Sequence, residues 1–260
     1  MAKPATRVAS YLFKQEKTRK DVSSFSSCHF ARGKTENDKK LGAMKVGLLG
    51  GSFNPVHIGH LRLAVEVLEQ AQLDRIELIP ASVPPHKRLS TVSSFQKRCK
   101  MIEAALKDIP GLNINRMEGQ RSGPSYTVDT LEQYRRLYPE REPYFIIGSP
   151  DFEHLPQWHE WQRLPHLTHF VVVIRDDAHQ SQAGGAAEVA DFIHNTWPQA
   201  VHEGEGRWTM SSGWKAYLLR IPQLDISSSL IRAKMAKGQS VRFLLPDPVW
   251  KMLADEYVRS

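Results

Sequence analysis

Cysteine is scarce in this 260-residue chain: Cys28 and Cys99 are the whole supply, with no CxxC pair. That excludes a disulfide framework and a cysteine zinc site, and a reducing, cytoplasmic setting is expected. Long apolar runs are missing as well. The longest cover about five residues, Phe170 to Ile174 among them, against the roughly twenty a membrane helix needs. A soluble protein with no membrane partner is expected. The net charge is +7, yet most of the chain lacks basic excess. Residues 1–43 hold ten Lys or Arg and four Asp or Glu, leaving only +1 for residues 44–260. The basicity belongs to the leader, so nucleic acid as a partner of the domain loses its main support.

That leader is Ser- and Lys-rich and keeps neither a 3.6 nor a 2.0 residue period, which predicts disorder. It has no continuous apolar core of the secretory kind. Met44, in contrast, opens straight into Val46-Gly47-Leu48-Leu49. The expectation is a basic leader over 1–43, produced by a start assigned too far upstream, and a single domain over 44–260.

Within the domain, strand and helix signals alternate. Strands are predicted at 45–49, 75–80, 112–115, 144–148, 170–174 and 216–221, short and continuously apolar. Leu61, Ala64, Val65 and Leu68 recur at helical spacing. Ser94 precedes a stripe of Phe95, Cys99, Ile102 and Leu106, and Val128, Leu131 and Tyr138 mark a third helix. A capped helix ended by Gly238 and one further helix close the chain. This pattern predicts an α/β fold, a doubly wound parallel sheet with helices on both faces. No internal repeat occurs. The polar stretch at about 176–213, with one helix hinted by Val189, Phe192, Ile193 and Trp197, reads as a surface insertion.

What the chain does have is "GGSFNPVHIGH" at 50–60. Ligands of doubly wound sheets bind at the carboxyl ends of the strands. Gly50, Gly51 and Ser52 end the first strand, where glycines let backbone approach a phosphate. A helix starting near His57 aims unpaired N–H groups at the same point. His57 and His60, three apart, share one side of that helix and suit charge developing on a phosphoryl group. Taken singly, glycines at such a turn often serve packing alone, and most histidines satisfy a local hydrogen bond.

The string resembles the HxGH signature of the nucleotidyltransferase superfamily, and in particular the bacterial nicotinate-nucleotide adenylyltransferases. Four further segments match that family in order: "PPHK" (84–87), "SYTVDTLE" (125–132), "IIGSPDFEHLPQWHEW" (146–161) and "DISSSLIR" (225–232). The resemblance runs from about Met44 to the C-terminus, poorly over 176–213. It implies a Rossmann-like nucleotidyltransferase fold and an enzyme of NAD biosynthesis. The reaction it implies is adenylyl transfer from ATP to nicotinate mononucleotide, giving nicotinate adenine dinucleotide and pyrophosphate. It further implies Mg²⁺ held by the ATP phosphates, with no metal site on the chain.

Roles follow residue by residue from the resemblance. His57 and His60 would be catalytic and contact ATP phosphates, with Gly50, Gly51, Ser52 and Phe53 lining the site. Ser228, Ser229 and Arg232 would receive the triphosphate. Lys87 would bind substrate phosphate beside His86, backbone N–H groups of Ser125, Tyr126 and Thr127 would receive the nicotinate carboxylate, and Trp158 would stack on the pyridine ring. From the residues alone, Pro84-Pro85 reads as a stiff solvated turn, Ser125 or Thr127 as a helix cap, and Trp158 and Trp161 as core.

Two positions depart from the family. Asn54 stands where Asp is usual, and Pro150 stands where the family's Gly-Ala-Asp has its acid, with Asp151 one residue on. Either Asp151 takes over that contact or the contact is lost. The rival readings are transfer to nicotinamide mononucleotide or phosphopantetheine, or a catalytically silent nucleotide-binding regulator.

Overall fold

A computed structural model describes residues 42–85, 92–176 and 185–257. The leader therefore lies outside the described residues for nearly all its length, and so do His86 and Lys87. The elements run β1 (Met44–Gly51), α1 (Ile58–Gln70), β2 (Arg75–Pro80), α2 (Phe95–Leu106), β3 (Leu112–Ile114), α3 (Thr127–Leu137) and β4 (Arg141–Gly148). They continue with the short α4 (Ser149–Glu153), β5 (His169–Asp176), α5 (Ala186–Thr196), β6 (Val201–Gly204), β7 (Arg207–Thr209), β8 (Lys215–Pro222), α6 (Ser228–Ala236) and α7 (Asp247–Tyr257).

Among the described residues eight strands form one sheet in the order β3-β2-β1-β4-β5-β8-β7-β6. From β3 to β8 every pairing is parallel, as continuous apolar strands predict. The chain leaves β1 outward to β2 and β3, then returns to β4 on the other side. The carboxyl ends of β1 and β4 are thus a switch point in strand order, where such sheets open a crevice.

Alternate residues of β1 serve the two faces, and the helices follow. Val46 and Leu48 join Phe145, Ile147, Phe170 and Val172 beneath Val128, Leu131 and Tyr134 of α3. On α1 the buried stripe is Leu61, Ala64 and Val67, with Val65 only half-buried. Ser94 caps α2, its hydroxyl accepting from the Lys97 N–H at 3.3 Å.

Two features differ from expectation. The segment read as a surface insertion is partly core: Val189 and Ile193 of α5 are fully buried against Phe152 and Phe170. A crossover between parallel β5 and β8 requires a covering helix, and α5 is in position to be it. Residues 201–209 then form a hairpin, β6 and β7, whose second strand pairs antiparallel with β8. Its strands are four and three residues long, too short for a periodic signal.

Buried polar side chains of β2 and β5 are paired. Glu77 of β2, almost inaccessible, takes a hydrogen bond from Asn115 at 2.8 Å and an ion pair from Arg141 of β4 at 2.9 Å. At the amino ends of β4, β5 and β8, the Lys215 N–H donates to His169 Nδ1 at 2.9 Å. That leaves His169 Nε2 as the protonated nitrogen, donating to Glu142 at 2.9 Å. This hydrogen bond, aided by the charge of Lys45, holds the Glu142 carboxyl below its ordinary value despite burial.

A carboxyl depressed in the folded state stabilises the fold above its unfolded pKa, about 4.3, and that contribution is lost as pH falls through the folded value. Urea denaturation from about pH 3 to 6 should therefore show a shallower acid loss of stability in Glu142→Gln than in the parent. Parallel curves would remove this group as a cause.

Candidate active site

The site is built where β1 ends. Gly51 is followed by a turn in which Phe53, fully buried, sits in the left-handed region at φ 44°, and the Asn54–Pro55 peptide bond is cis. His57 is the extended N-cap of α1 and His60 its third helical residue. Their rings stack at 3.6 Å and 26°, and the His60 ring meets the Phe53 ring edge-on at 4.9 Å. The His57 N–H donates to His60 Nδ1 at 3.2 Å. In the neutral ring this places the proton on His60 Nε2, as a donor. Gly59 between them leaves room: a Cβ there would press to 3.1 Å from the His57 ring and 3.4 Å from the Ile226 carbonyl.

Four long-range tethers hold this turn. Arg98 of α2 is 1% exposed, and its guanidinium donates to the carbonyls of Ser93 (2.9 Å), Ser52 (2.8 Å) and Ser82 (3.4 Å). Burial pushes its pKa down, opposed by the charge of Glu118, and a guanidinium so shifted stays charged at neutral pH. The buried Asn54 side chain accepts from the Ser93 N–H at 3.1 Å. From the other side Arg232 donates to the Asn54 carbonyl at 2.7 Å, and the Ser228 hydroxyl to that of Pro55 at 2.9 Å.

Two cavities flank the turn. The first, about 470 Å³, is lined by Ser52, His57, Gly59, His60 and Ser227–Ser229, with Ile221, Pro222, Leu224 and Leu63 at its apolar side. Ser227 caps α6 by accepting from the Leu230 N–H at 3.1 Å. The start of α6 and the start of α1 thus face one space, two positive dipole ends suited to a polyanion. The second cavity, about 620 Å³, lies between α3 and the chain after β4, lined by Gly50, Ser125–Thr127, Phe145, Trp158 and His159. The Tyr126 and His159 rings stack at its edge, 4.2 Å apart. Gly51 and Asp151 line both cavities.

The expected residues mostly converge here, with corrections. Gly50, Gly51, Ser52, His57, His60, Ser125, Tyr126, Thr127, Asp151, Trp158, Ser228 and Ser229 all line one cavity or both. Phe53 supports the His60 ring from the core rather than lining the space. Arg232 is not a lining residue; its guanidinium is taken up by the Asn54 carbonyl and the Ser229 hydroxyl. Ser125 does not cap α3: its hydroxyl accepts from Val83 N–H at 3.1 Å and its own N–H donates to the Val83 carbonyl at 2.9 Å. The Tyr126 N–H is bonded to the Pro124 carbonyl. Since no side chain caps α3, the donors left at its start begin at Thr127, not Ser125. Trp158, expected as core from its spacing, is partly buried against the core and also forms cavity wall.

Asp151 owes its place to Pro150. Proline is tolerated in the first turn of a helix, where its missing N–H has no partner to lose, and acids there meet the positive dipole end. Among the described residues no trio of His, Cys, Asp and Glu is gathered to hold a metal ion.

Sequence reasoning missed two buried ionic groups. Arg98 lies four residues before Ile102 and one before Cys99, a charge on an apolar stripe, and that was its signal. Glu118, 7% exposed, accepts from the Thr130 hydroxyl at 2.6 Å and the Ser82 N–H at 3.2 Å. It ties the exit of β2 to α3 across the larger cavity, and nothing in its local sequence announces it.

The profile of the cytidylyltransferase-like family matches residues 48–234. The chain belongs to that family. Its relatives are more particular: a probable nicotinate-nucleotide adenylyltransferase of Geotalea daltonii is 38% identical, over 83% of this chain and 98% of its own. A second, from Syntrophotalea carbinolica, is 40% identical over 79% and 93%. In fold the chain is similar to Plasmodium falciparum nicotinic acid mononucleotide adenylyltransferase complexed with NaAD. That likeness has a TM-score of 0.62 at 17% identity, over 82% of this chain and 96% of the other.

Replacing Arg98 with Met leaves three part-buried carbonyls without their charged donor. The expected loss is about 2–4 kcal/mol, read from the urea denaturation midpoint. A loss below about 1 kcal/mol would mean the turn is held by its other tethers alone.

Proposed function

We propose that the chain transfers the adenylyl group of ATP to nicotinate mononucleotide. The phosphate oxygen of the mononucleotide attacks the α-phosphorus in line. The bond to the bridging oxygen of the β-phosphate breaks, pyrophosphate leaves, and nicotinate adenine dinucleotide remains. No protein nucleophile is needed, so the chain acts by positioning and by stabilising charge.

The observation that carries this reading is the meeting of two cavities at Gly51 and Asp151, one suited to a polyanion and one lined by aromatic rings. ATP fits the first: triphosphate against the starts of α1 and α6, with the His60 Nε2 proton directed at phosphate oxygen. Mg²⁺ enters as part of the substrate, carried by the ATP phosphates. The mononucleotide fits the second, its ring beside Trp158 and its carboxylate at the start of α3, where Thr127 begins the unpaired amides. Asp151, at the seam, is suited to accept from ribose hydroxyls of either nucleotide. Pro150 then moves the family's acid along by one position without removing it from the site. Lys87 and His86 keep their roles as phosphate contacts by resemblance. Among the described residues no helix is long and apolar enough to cross a membrane; work in the cytoplasm on small soluble substrates is part of this proposal.

Purified protein given Mg-ATP and one acceptor at a time should release pyrophosphate with nicotinate mononucleotide. A faster rate with nicotinamide mononucleotide would change the acceptor, activity with phosphopantetheine alone would overturn it, and no turnover would indicate a silent binder. His60→Ala should lower kcat about 10²–10³-fold, the cost of removing one preorganised donor; a variant keeping half the parent rate would contradict its role. Asp151→Asn should raise KM for both substrates, by about tenfold in total, as for loss of one charge-assisted hydrogen bond. An effect on neither substrate would remove Asp151 from the seam.

A further inference from the structure

One charged residue of the smaller cavity has no part in the scheme above. Arg62, on the second turn of α1, lines that cavity between the start of the helix and Leu63. Its guanidinium is ion-paired to Glu66 one turn on. The pair is asymmetric: the Arg62 side chain is 51% exposed, that of Glu66 only 11%. The second Glu66 oxygen accepts from Gln70 Nε2 at 3.0 Å, and the same Gln70 amide reaches the Arg220 carbonyl of β8 at 3.2 Å.

Gly59, Arg62, Leu63, Glu66 and Gln70 follow one side of the helix at i, i+3, i+4, i+7 and i+11. This side faces β8 and the chain leaving it, and there the cavity wall is apolar: Ile221, Pro222 and Leu224. Surface ion pairs contribute little and hold no fixed geometry. Here the carboxylate is buried and bonded through Gln70 to the sheet, and its contact with Arg62 keeps the guanidinium at the cavity wall. A planar, weakly hydrated cation stacks on aromatic faces, which a lysine ammonium does not.

We propose that Arg62 is a substrate-binding residue that stacks on the nucleobase of ATP, closing a slot whose other walls are Leu63, Ile221 and Leu224, and that Glu66 is the positioning residue that keeps its plane aligned. This inference rests on the reading of the smaller cavity as the ATP site. The phosphates occupy the helix-start end of the cavity and the base its apolar end, so Arg62 acts on ATP and leaves pyrophosphate and the mononucleotide untouched.

The test is calorimetric binding of a non-hydrolysable α,β-methylene ATP, with steady-state kinetics alongside. Arg62→Ala should weaken analogue binding and raise KM for ATP by about tenfold, the range of a cation stacked on a ring, with kcat and KM for the mononucleotide within about twofold of the parent. Inhibition by pyrophosphate should not change. Arg62→Lys, which keeps the charge but not the plane, should stay near Arg62→Ala. Glu66→Gln should show part of the loss, and the double variant should be no weaker than Arg62→Ala alone, because coupled residues are not additive. Analogue affinity within twofold of the parent in Arg62→Ala, full recovery in Arg62→Lys, or an equal loss for pyrophosphate would each overturn the stacking role. If the parent protein itself bound no analogue, the failure would lie with the ATP site and not with Arg62.

Discussion

A single buried cation organises the catalytic end of this sheet. Arg98 leaves the apolar side of α2 and gathers carbonyls from the turn after β1, the exit of β2 and the segment before its own helix. Removing a guanidinium from water is tolerable only when its donors are matched, and here the match is made by the loops that must be held. The geometry of the HxGH turn is thus set from behind. Phe53 can occupy a left-handed conformation under the His60 ring because Ser52 before it and Asn54 after it are both tied down.

From that anchor the two histidines inherit their arrangement. With the His57 N–H donating to His60 Nδ1, the second ring can turn only by giving up a hydrogen bond and a stack on its neighbour. Preorganisation of this kind is what allows donors to act on developing charge without rearranging during the reaction. The serines at the start of α6 face the same space because Ser228 and Arg232 bind carbonyls of the turn itself. Arg232, which resemblance assigns to the triphosphate, also fastens one binding element to the other.

Much of this was legible in the sequence, for reasons that differ between elements. Continuous apolar strands separated by amphipathic stripes implied a covered parallel sheet, and β2 was bounded to the residue because Pro80 ends it. The HxGH string located the crevice because its glycines and histidines act locally, through the backbone of one turn. What stayed hidden depends on distant partners. Arg232 and Asn54 are 178 residues apart, and Glu118 is defined by Ser82 and Thr130, neither adjacent to it. Ser125 looked like a cap because serines before helices usually are, but a backbone pairing with Val83 competed for it and won. The β6–β7 hairpin escaped notice because strands of three or four residues leave no period to read.

The two borders of the sheet share one property. β3 ends it with three residues, and on the far side β6 offers four, interrupted by a register shift between His202 and Gly204. Long, flat outer strands invite other chains to add to them, and brevity and bulges are the usual deterrents. By finishing a parallel array with a short reversed ribbon, the molecule covers the first part of the longer β8, Lys215–Tyr217. The hairpin that broke the simple doubly wound pattern is therefore a guard against aggregation as well as an addition to the sheet.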